Sequence, residues 1–235
     1  MTDPNFQLAF DHAPYHLSGV VYGTLLNHQP ALQALGERVL QAPYKAAPRA
    51  PVLYVKPRNT LALDGSEVTV PSDAPELEVG AALGIVIGRT ACRLAPQNAL
   101  DHVAGYTIVN DVSVPHDGFY RPSVRLKARD GFCPIGPAVV PRAAVAHPDA
   151  LNVRVWIDGV LRHETGTGDR IRNVARLLAD VTDFMTLQAG DVLMLGVSAG
   201  APRVKAGQEV AIGIEGLGRL VSRFVAETGK QGDAA

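Results

Sequence analysis

Three carboxylates carry the first chemical signal in this chain. Glu76 and Glu78 stand two residues apart at the head of the apolar run LEVGAALGIVIG, and Asp111 interrupts a second such run, GYTIVNDVSV. In a strand, residues i and i+2 face the same side, so Glu76 and Glu78 point to one place. Taken alone, that pair reads more simply as a solvated strand edge. Asp111 changes the balance, because a carboxylate inside a buried strand is costly unless it is paired or holds a metal. Three carboxylates at one site would either raise one another's pKa or attract a cation. An oxygen-only donor set suits magnesium, manganese or calcium better than zinc or copper. Spacing by itself does not bring Asp111 to the glutamates.

The elements that must position these groups can be read from hydrophobic periodicity. Residues 1–19 show little pattern and read as an N-terminal arm. A domain follows over 20–228, and 229–235 form a C-terminal tail. Within the domain, strands are expected at 20–26, at PVLYVKP, through LEVGAALGIVIG with a bend at Gly80 or Gly84, and at GYTIVNDVSV. LNVRVWIDG and VLRHE alternate around Asp158-Gly159 as a β-hairpin does. Further strands are expected at 208–214 and 218–225. Helices are expected at 29–41, at 95–103 and, most clearly amphipathic, at 170–185. The fold class is therefore α+β and β-rich.

Composition narrows the range of partners. The 22 basic and 23 acidic residues nearly cancel to a net charge of -1, which gives no electrostatic reason to expect nucleic acid or an anionic membrane. The N-terminus lacks the basic start and apolar run of a signal peptide, and no stretch is long and apolar enough to span a bilayer, so a soluble, cytoplasmic protein is expected. Cys92 and Cys133 lie far apart and outside any CxxC spacing, and both read as small buried hydrophobes.

Three ordered blocks, PELEVGAALGIVIGRTA, DHVAGYTIVNDVSV and RLKARDGFCPIGP, resemble the signature blocks of the fumarylacetoacetate hydrolase superfamily. The resemblance continues through GTGDRIRNVARLLADVTDFMTLQAGDVLMLG and IEGLGRLVSRFV. It implies a mixed β-sheet roll with short helices and a Mg2+ or Mn2+ ion held by Glu76, Glu78 and Asp111. Within the superfamily, LLNH, QAPYKAAPRAPVLYVKPRNTL, FYRPS and LKARDGFCPIGP are most similar to the isomerase/decarboxylases of 4-hydroxyphenylacetate degradation. Those enzymes are built from two similar halves, of which this chain matches one. The resemblance thus also implies a homodimer or an assembly with a homologous sister subunit.

The same resemblance assigns roles. The substrate is a small 2-oxo di- or tricarboxylic acid, and the metal serves as a Lewis acid toward charge developing at its carbonyl oxygen. Lys127 supplies a fixed cation beside the same oxygens. Arg121 and Arg125 are candidates to bind a distal carboxylate, Tyr120 to line the pocket, and Lys56 to line the site or to support it from beneath. Two departures stand out. The His-Glu pair that hydrolytic and oxaloacetate-type relatives carry on a lid helix is missing from the stretch beginning Asn27-His28. Ser198, in GVSAG, stands where many relatives have a Gly-Thr-Pro turn that helps bind the substrate carboxylate. His28 and His116 are the candidates to move a proton in place of the missing pair, with Asp117 behind them. The activities in view are decarboxylation of 5-oxopent-3-ene-1,2,5-tricarboxylate and isomerisation of 2-hydroxyhepta-2,4-diene-1,7-dioate. An acylpyruvate-type C-C hydrolase and a non-catalytic partner subunit are the alternatives.

Overall fold

The computed structural model describes residues 20–120 and 123–227. The expected N-terminal arm, the expected C-terminal tail and Arg121 lie outside the described residues. In chain order the elements are β1 (Val21–Leu25), α1 (Gln29–Ala34), β2 (Val52–Lys56), β3 (Leu61–Ala62), β4 (Glu67–Val70), β5 (Leu77–Glu78), β6 (Ala81–Ile87) and β7 (Val103–Asn110). They continue with α2 (Val124–Lys127), β8 (Cys133–Pro141), β9 (Asn152–Ile157), β10 (Val160–Gly166), α3 (Val174–Thr182), β11 (Val192–Met194), β12 (Arg203–Val204), β13 (Glu209–Ile214) and β14 (Gly218–Ala226). The result is the expected β-rich α+β roll.

A seven-stranded mixed sheet runs β2-β1-β11-β6-β7-β8-β3, and a five-stranded sheet runs β10-β9-β13-β14-β4. Every residue of β6 is buried, which is why its sequence is continuously apolar. Its side chains divide by alternation. Leu83, Ile85 and Ile87 join the main core with Val155 of β9, Ile212 of β13 and Leu177 and Val181 of α3. Ala82 and Val86 face the other way, into a second core with Val109, Ile135, Val192, Met194 and Tyr54. The large sheet is thus covered on both faces, and its small residues allow it to curl. A Cβ on Gly84 would lie 2.8 Å from Val109 and 2.9 Å from Thr107.

Several expected elements are shorter than their periodicity suggested. The helix expected over 29–41 stops at Ala34, because Gly36 adopts φ +52° and the chain continues as a 3-10 turn, Gly36–Leu40. Over 95–103 only a 3-10 turn, Ala99–His102, forms. The helix expected over 170–185 begins at Val174, where the Asn173 side chain accepts from the Arg176 N–H as an N-cap. The hairpin forms as read, with Asp158 and Gly159 both at positive φ. Cys133 is buried, but Cys92 is exposed, contrary to expectation, since it sits in the loop after β6 rather than in a strand.

Two features of this frame aim the carboxylates. The long apolar run breaks between β5 and β6, where Gly80 lets the chain carrying Asp111 approach. A Cβ there would lie 2.4 Å from the Asp111 carbonyl oxygen, while the Asp111 N–H donates to Gly80 O at 2.8 Å. Elsewhere in the same roll, Tyr54 and Lys56 lie two residues apart on β2 and so share its buried face, with exposed Val55 between them. Gly23, opposite Tyr54 on β1, leaves the space that the tyrosine ring fills. Lys56 is fully buried, and its ammonium donates to the carbonyls of Val112, Lys127 and Phe132 at 2.7, 2.7 and 2.8 Å. One buried cation therefore ties together the exit of β7, the end of α2 and the start of β8. Replacing Lys56 with Met would remove a donor from three carbonyls, of which Phe132 O keeps the Val112 N–H, and would leave the Asp111 charge short of a counterion. The expected cost is about 3–5 kcal/mol of stability in a urea titration, and a loss under about 1 kcal/mol would show that Lys56 does not organise this region.

Candidate active site

Glu78, Asp111, Lys127, His116, Tyr54 and Ser198 line one cavity of about 380 Å³, roofed by α1 and the 3-10 turn after it. Asp111 follows β7 directly and Lys127 is the last residue of α2, while Glu78 ends β5 and pairs through its backbone with Ser113. These segments are distant in sequence and meet only through the sheet.

Asp111 is the charge centre. Tyr54 donates its hydroxyl to Oδ2, and Lys127 Nζ donates to the same oxygen at 2.8 Å while lying 4.9 Å above the Tyr54 ring. Lys56 Nζ approaches Oδ1 to 2.8 Å, but its protons are directed to three carbonyls. That approach is a charge contact, and Oδ1 remains a buried acceptor without a hydrogen bond. Burial pushes the Asp111 carboxyl up, yet Lys127 and then Lys56 outweigh it and hold the group well below the usual carboxylate range. Burial, with Asp111 alongside, raises the Tyr54 phenol well above its ordinary value and keeps it a donor.

Glu78 is in the opposite condition. Its carboxylate makes no hydrogen bond or ion pair with the described residues, and burial raises its pKa, with Lys127 and His116 working against that shift. Glu76, just before β5, shares its outward side but is ion-paired to Arg203 at 2.6 Å. Arg203 reaches this position because β12 pairs with β5, placing Arg203 opposite Glu78. Among the described residues, no three histidine, cysteine or acidic side chains converge as a metal cluster. The donor set nonetheless fits a hard divalent ion. Glu78 and Asp111 Oδ1 are oxygen donors lacking hydrogen bonds beside one cavity, whereas Glu76 is not among the residues that line it and is connected to it only through its ion pair with Arg203, a largely exposed arginine at the cavity wall.

The remaining expected residues divide into three groups. His116 donates from Nδ1 to Val114 O at 2.8 Å, so in the neutral ring Nε2 carries the lone pair; that atom is buried at the cavity wall with no partner. His28 instead accepts the Ala199 N–H on Nδ1 at 3.0 Å, supporting the 198–200 loop from behind. Tyr120 and Arg125 line an adjoining groove rather than the cavity containing Glu78 and Asp111. Arg125 is exposed and contacts Asp73 at 3.4 Å. Sequence reasoning passed over Tyr54 and Arg203. Tyr54 was within reach, since period-two alternation puts it on the face of Lys56. Arg203 was not, because a two-residue ladder between distant segments leaves no pattern in the sequence.

A profile of the family described as "Fumarylacetoacetate (FAA) hydrolase C-terminal" matches residues 20–225. The 4-hydroxyphenylacetate degradation bifunctional isomerase/decarboxylase of Escherichia coli is 36% identical over 211 residues, covering 90% of this chain and 48% of that protein. The chain therefore spans about half the length of this curated relative. The crystal structure of a 5-carboxymethyl-2-hydroxymuconate delta-isomerase from Mycobacterium smegmatis superposes with a TM-score of 0.75 at 28% identity, covering 91% of this chain and 81% of that one. A fumarylpyruvate hydrolase from Pseudomonas aeruginosa, solved in complex with Mn2+ and pyruvate, superposes with a TM-score of 0.76 at 26% identity, covering 88% of this chain and 90% of that one. Sequence blocks, curled sheet and profile agree along nearly the whole described chain, and the protein belongs to the fumarylacetoacetate hydrolase family.

Proposed function

We propose that this chain is a divalent-metal-dependent isomerase or decarboxylase acting on open-chain 2-oxo di- or tricarboxylic acids from aromatic ring cleavage. The observation that carries this reading is the pairing, across one cavity, of a partly buried Glu78, without a side-chain partner among the described residues, with an Asp111 flanked by two lysines. Glu78, Asp111 and Glu76 would hold Mg2+ or Mn2+, with Glu76 exchanging Arg203 for the ion. When bound, the ion supplies Lewis acidity toward a 2-oxo acid. The Mn2+ and pyruvate held together by the Pseudomonas aeruginosa fumarylpyruvate hydrolase support that choice of ligand class.

The chain's own residues supply the rest. Lys127 presents a fixed positive charge at the cavity wall and offsets negative charge that develops on the substrate. Tyr54 and Lys56 keep Asp111 ionised and oriented. His116, whose bond from Nδ1 to Val114 leaves the Nε2 lone pair free in the neutral ring, would take a proton from carbon and return it elsewhere on the chain of double bonds, as isomerisation requires. Decarboxylation needs no base for its first step and reprotonation for its last. The 4-hydroxyphenylacetate pathway named for the Escherichia coli relative supplies the candidate substrates. An acylpyruvate hydrolase is the second reading, favoured by the likeness to the fumarylpyruvate hydrolase, with His116 then directed at water.

We also place the protein in the cytoplasm and in an assembly with a second copy or a sister half. Val160 and Leu161, about half exposed on the edge strand β10, are surface that such an assembly would cover. Among the described residues no helix is long and apolar enough to cross a membrane.

Metal-stripped protein incubated with 5-oxopent-3-ene-1,2,5-tricarboxylate or 2-hydroxyhepta-2,4-diene-1,7-dioate should turn over only when Mg2+ or Mn2+ is added. Glu78→Ala should lower the rate by at least about 100-fold. Carbon dioxide release identifies the decarboxylase, and an absorbance change without gas identifies the isomerase. No turnover by the isolated chain under any metal condition would contradict a self-sufficient enzyme and favour the partner-subunit alternative.

Metal affinity should also depend on pH in a defined direction. Because the Glu78 pKa is raised, it holds its proton to higher pH than an ordinary carboxyl, and that proton competes with the cation. Mn2+ affinity followed by electron paramagnetic resonance should therefore fall on acidification with a midpoint above the ordinary carboxylate range. Asp111, whose pKa is depressed, remains ionised there. A midpoint at or below the ordinary range would contradict the role given to Glu78.

A further inference from the structure

A phenol bonded to a carboxylate uses up part of what that carboxylate can offer a cation. Each carboxylate oxygen has two lone-pair positions. On Asp111, Oδ2 accepts both the Tyr54 hydroxyl and the Lys127 ammonium, the latter at 2.8 Å, so both its positions are filled. Oδ1 has Lys56 Nζ at 2.8 Å but receives no hydrogen bond, because that ammonium donates to the carbonyls of Val112, Lys127 and Phe132. The two ends of this carboxylate are therefore unequal. One oxygen is saturated, and the other is open.

The fold leaves this arrangement little freedom. Tyr54 is a buried residue of β2 at the cavity wall, and Gly23, its partner on β1, leaves the space that its ring occupies. Lys127 Nζ lies 4.9 Å from the centre of that ring, so the tyrosine holds the lysine as well as the carboxylate. Turning both oxygens of Asp111 toward one ion would deprive the buried Tyr54 hydroxyl of its acceptor, and a buried donor without an acceptor is costly.

The number of oxygens on offer decides which hard ion fits. Ca2+ takes about six to eight oxygens in irregular geometry and often uses both oxygens of a carboxylate, whereas Mg2+ demands an octahedron and keeps water in several positions. Mn2+ shares the octahedral arrangement. We propose that Tyr54 is a specificity residue for the metal: with Lys127 it fills Oδ2, limits Asp111 to one-oxygen ligation through Oδ1, and so selects Mg2+ and Mn2+ against Ca2+. It acts through Asp111 and is therefore a positioning residue. The inference rests on the metal reading above and adds to it a device that chooses among the hard ions an oxygen donor set admits.

The test measures Mn2+ affinity of the full chain by electron paramagnetic resonance and Ca2+ affinity by its displacement of Mn2+. The wild type should prefer Mn2+. Tyr54→Phe keeps the ring and frees one lone pair of Oδ2, and it should shift the ratio of the two affinities toward Ca2+ by at least about five-fold. Removing a tyrosine that merely stabilised the wall would weaken both ions alike. That result, an unchanged ratio, or a wild type that binds Ca2+ as tightly as Mn2+ would overturn the selection and leave the metal reading standing. Wild-type crystals soaked in Ca2+ carry the test if the variant does not fold: the ion should be absent or held by one Asp111 oxygen, with Tyr54 still on the other. Both Asp111 oxygens on the ion, or Tyr54 displaced, would overturn the proposal. Failure of the wild type to bind Mn2+ at all would overturn the metal reading and the selection with it.

Discussion

The structure is organised around a negative charge in a place where charge is expensive. Asp111 is 2% exposed, at the end of an almost entirely apolar strand, and it persists there because two lysines and a tyrosine converge on it from other segments. Each partner has its own demands. Lys56 must be satisfied by three carbonyls, which fixes the chain at Val112, Lys127 and Phe132; Tyr54 must have a glycine opposite it; and the backbone of Asp111 must have a glycine at position 80. The curled sheet is what lets all of these meet. A roll with small residues on its inner face leaves room for a polar cluster that a flat, tightly packed sheet would exclude.

That cluster also explains why Glu78 can do without a side-chain partner among the described residues. Positive charge from Lys127, and less so from Arg203, reaches it through space, so its burial is tolerable without a direct ion pair. The cavity accordingly contains one carboxylate driven strongly toward ionisation and one pushed toward protonation. Such a pair can accept a divalent cation without first breaking a buried salt bridge at Glu78. Under the proposed reading Glu76, paired to an exposed arginine, would be the inexpensive third ligand, since an ion pair of that kind contributes little to stability.

Much of this was legible in the sequence, for identifiable reasons. Continuous apolar runs identified the buried strands, alternation around Asp158-Gly159 identified the hairpin, and the placement of Asp111 within an apolar run marked it as a buried charge that needs partners, which Lys56 and Lys127 supply. Helices were overestimated wherever periodicity continued past a conformational stop: Gly36 ends the first helix, and the Asn173 cap delays the third. Of the site residues that escaped notice, Tyr54 was within reach of the alternation along β2, whereas Arg203 meets Glu76 across 127 positions. No local pattern encodes that meeting. Arg125 and Tyr120 attracted attention because they sit beside a family motif, yet the segment that carries Lys127 into the cavity turns them toward the neighbouring groove.

The central claim is that three carboxylates from two segments close on one divalent ion. A crystal of the protein soaked with Mn2+ and measured at the manganese absorption edge addresses it directly. The expected result is a single strong anomalous peak among Glu76, Glu78 and Asp111, with Glu76 released from Arg203. No peak in this cavity, with Glu76 still bound to Arg203 at saturating Mn2+, would contradict it.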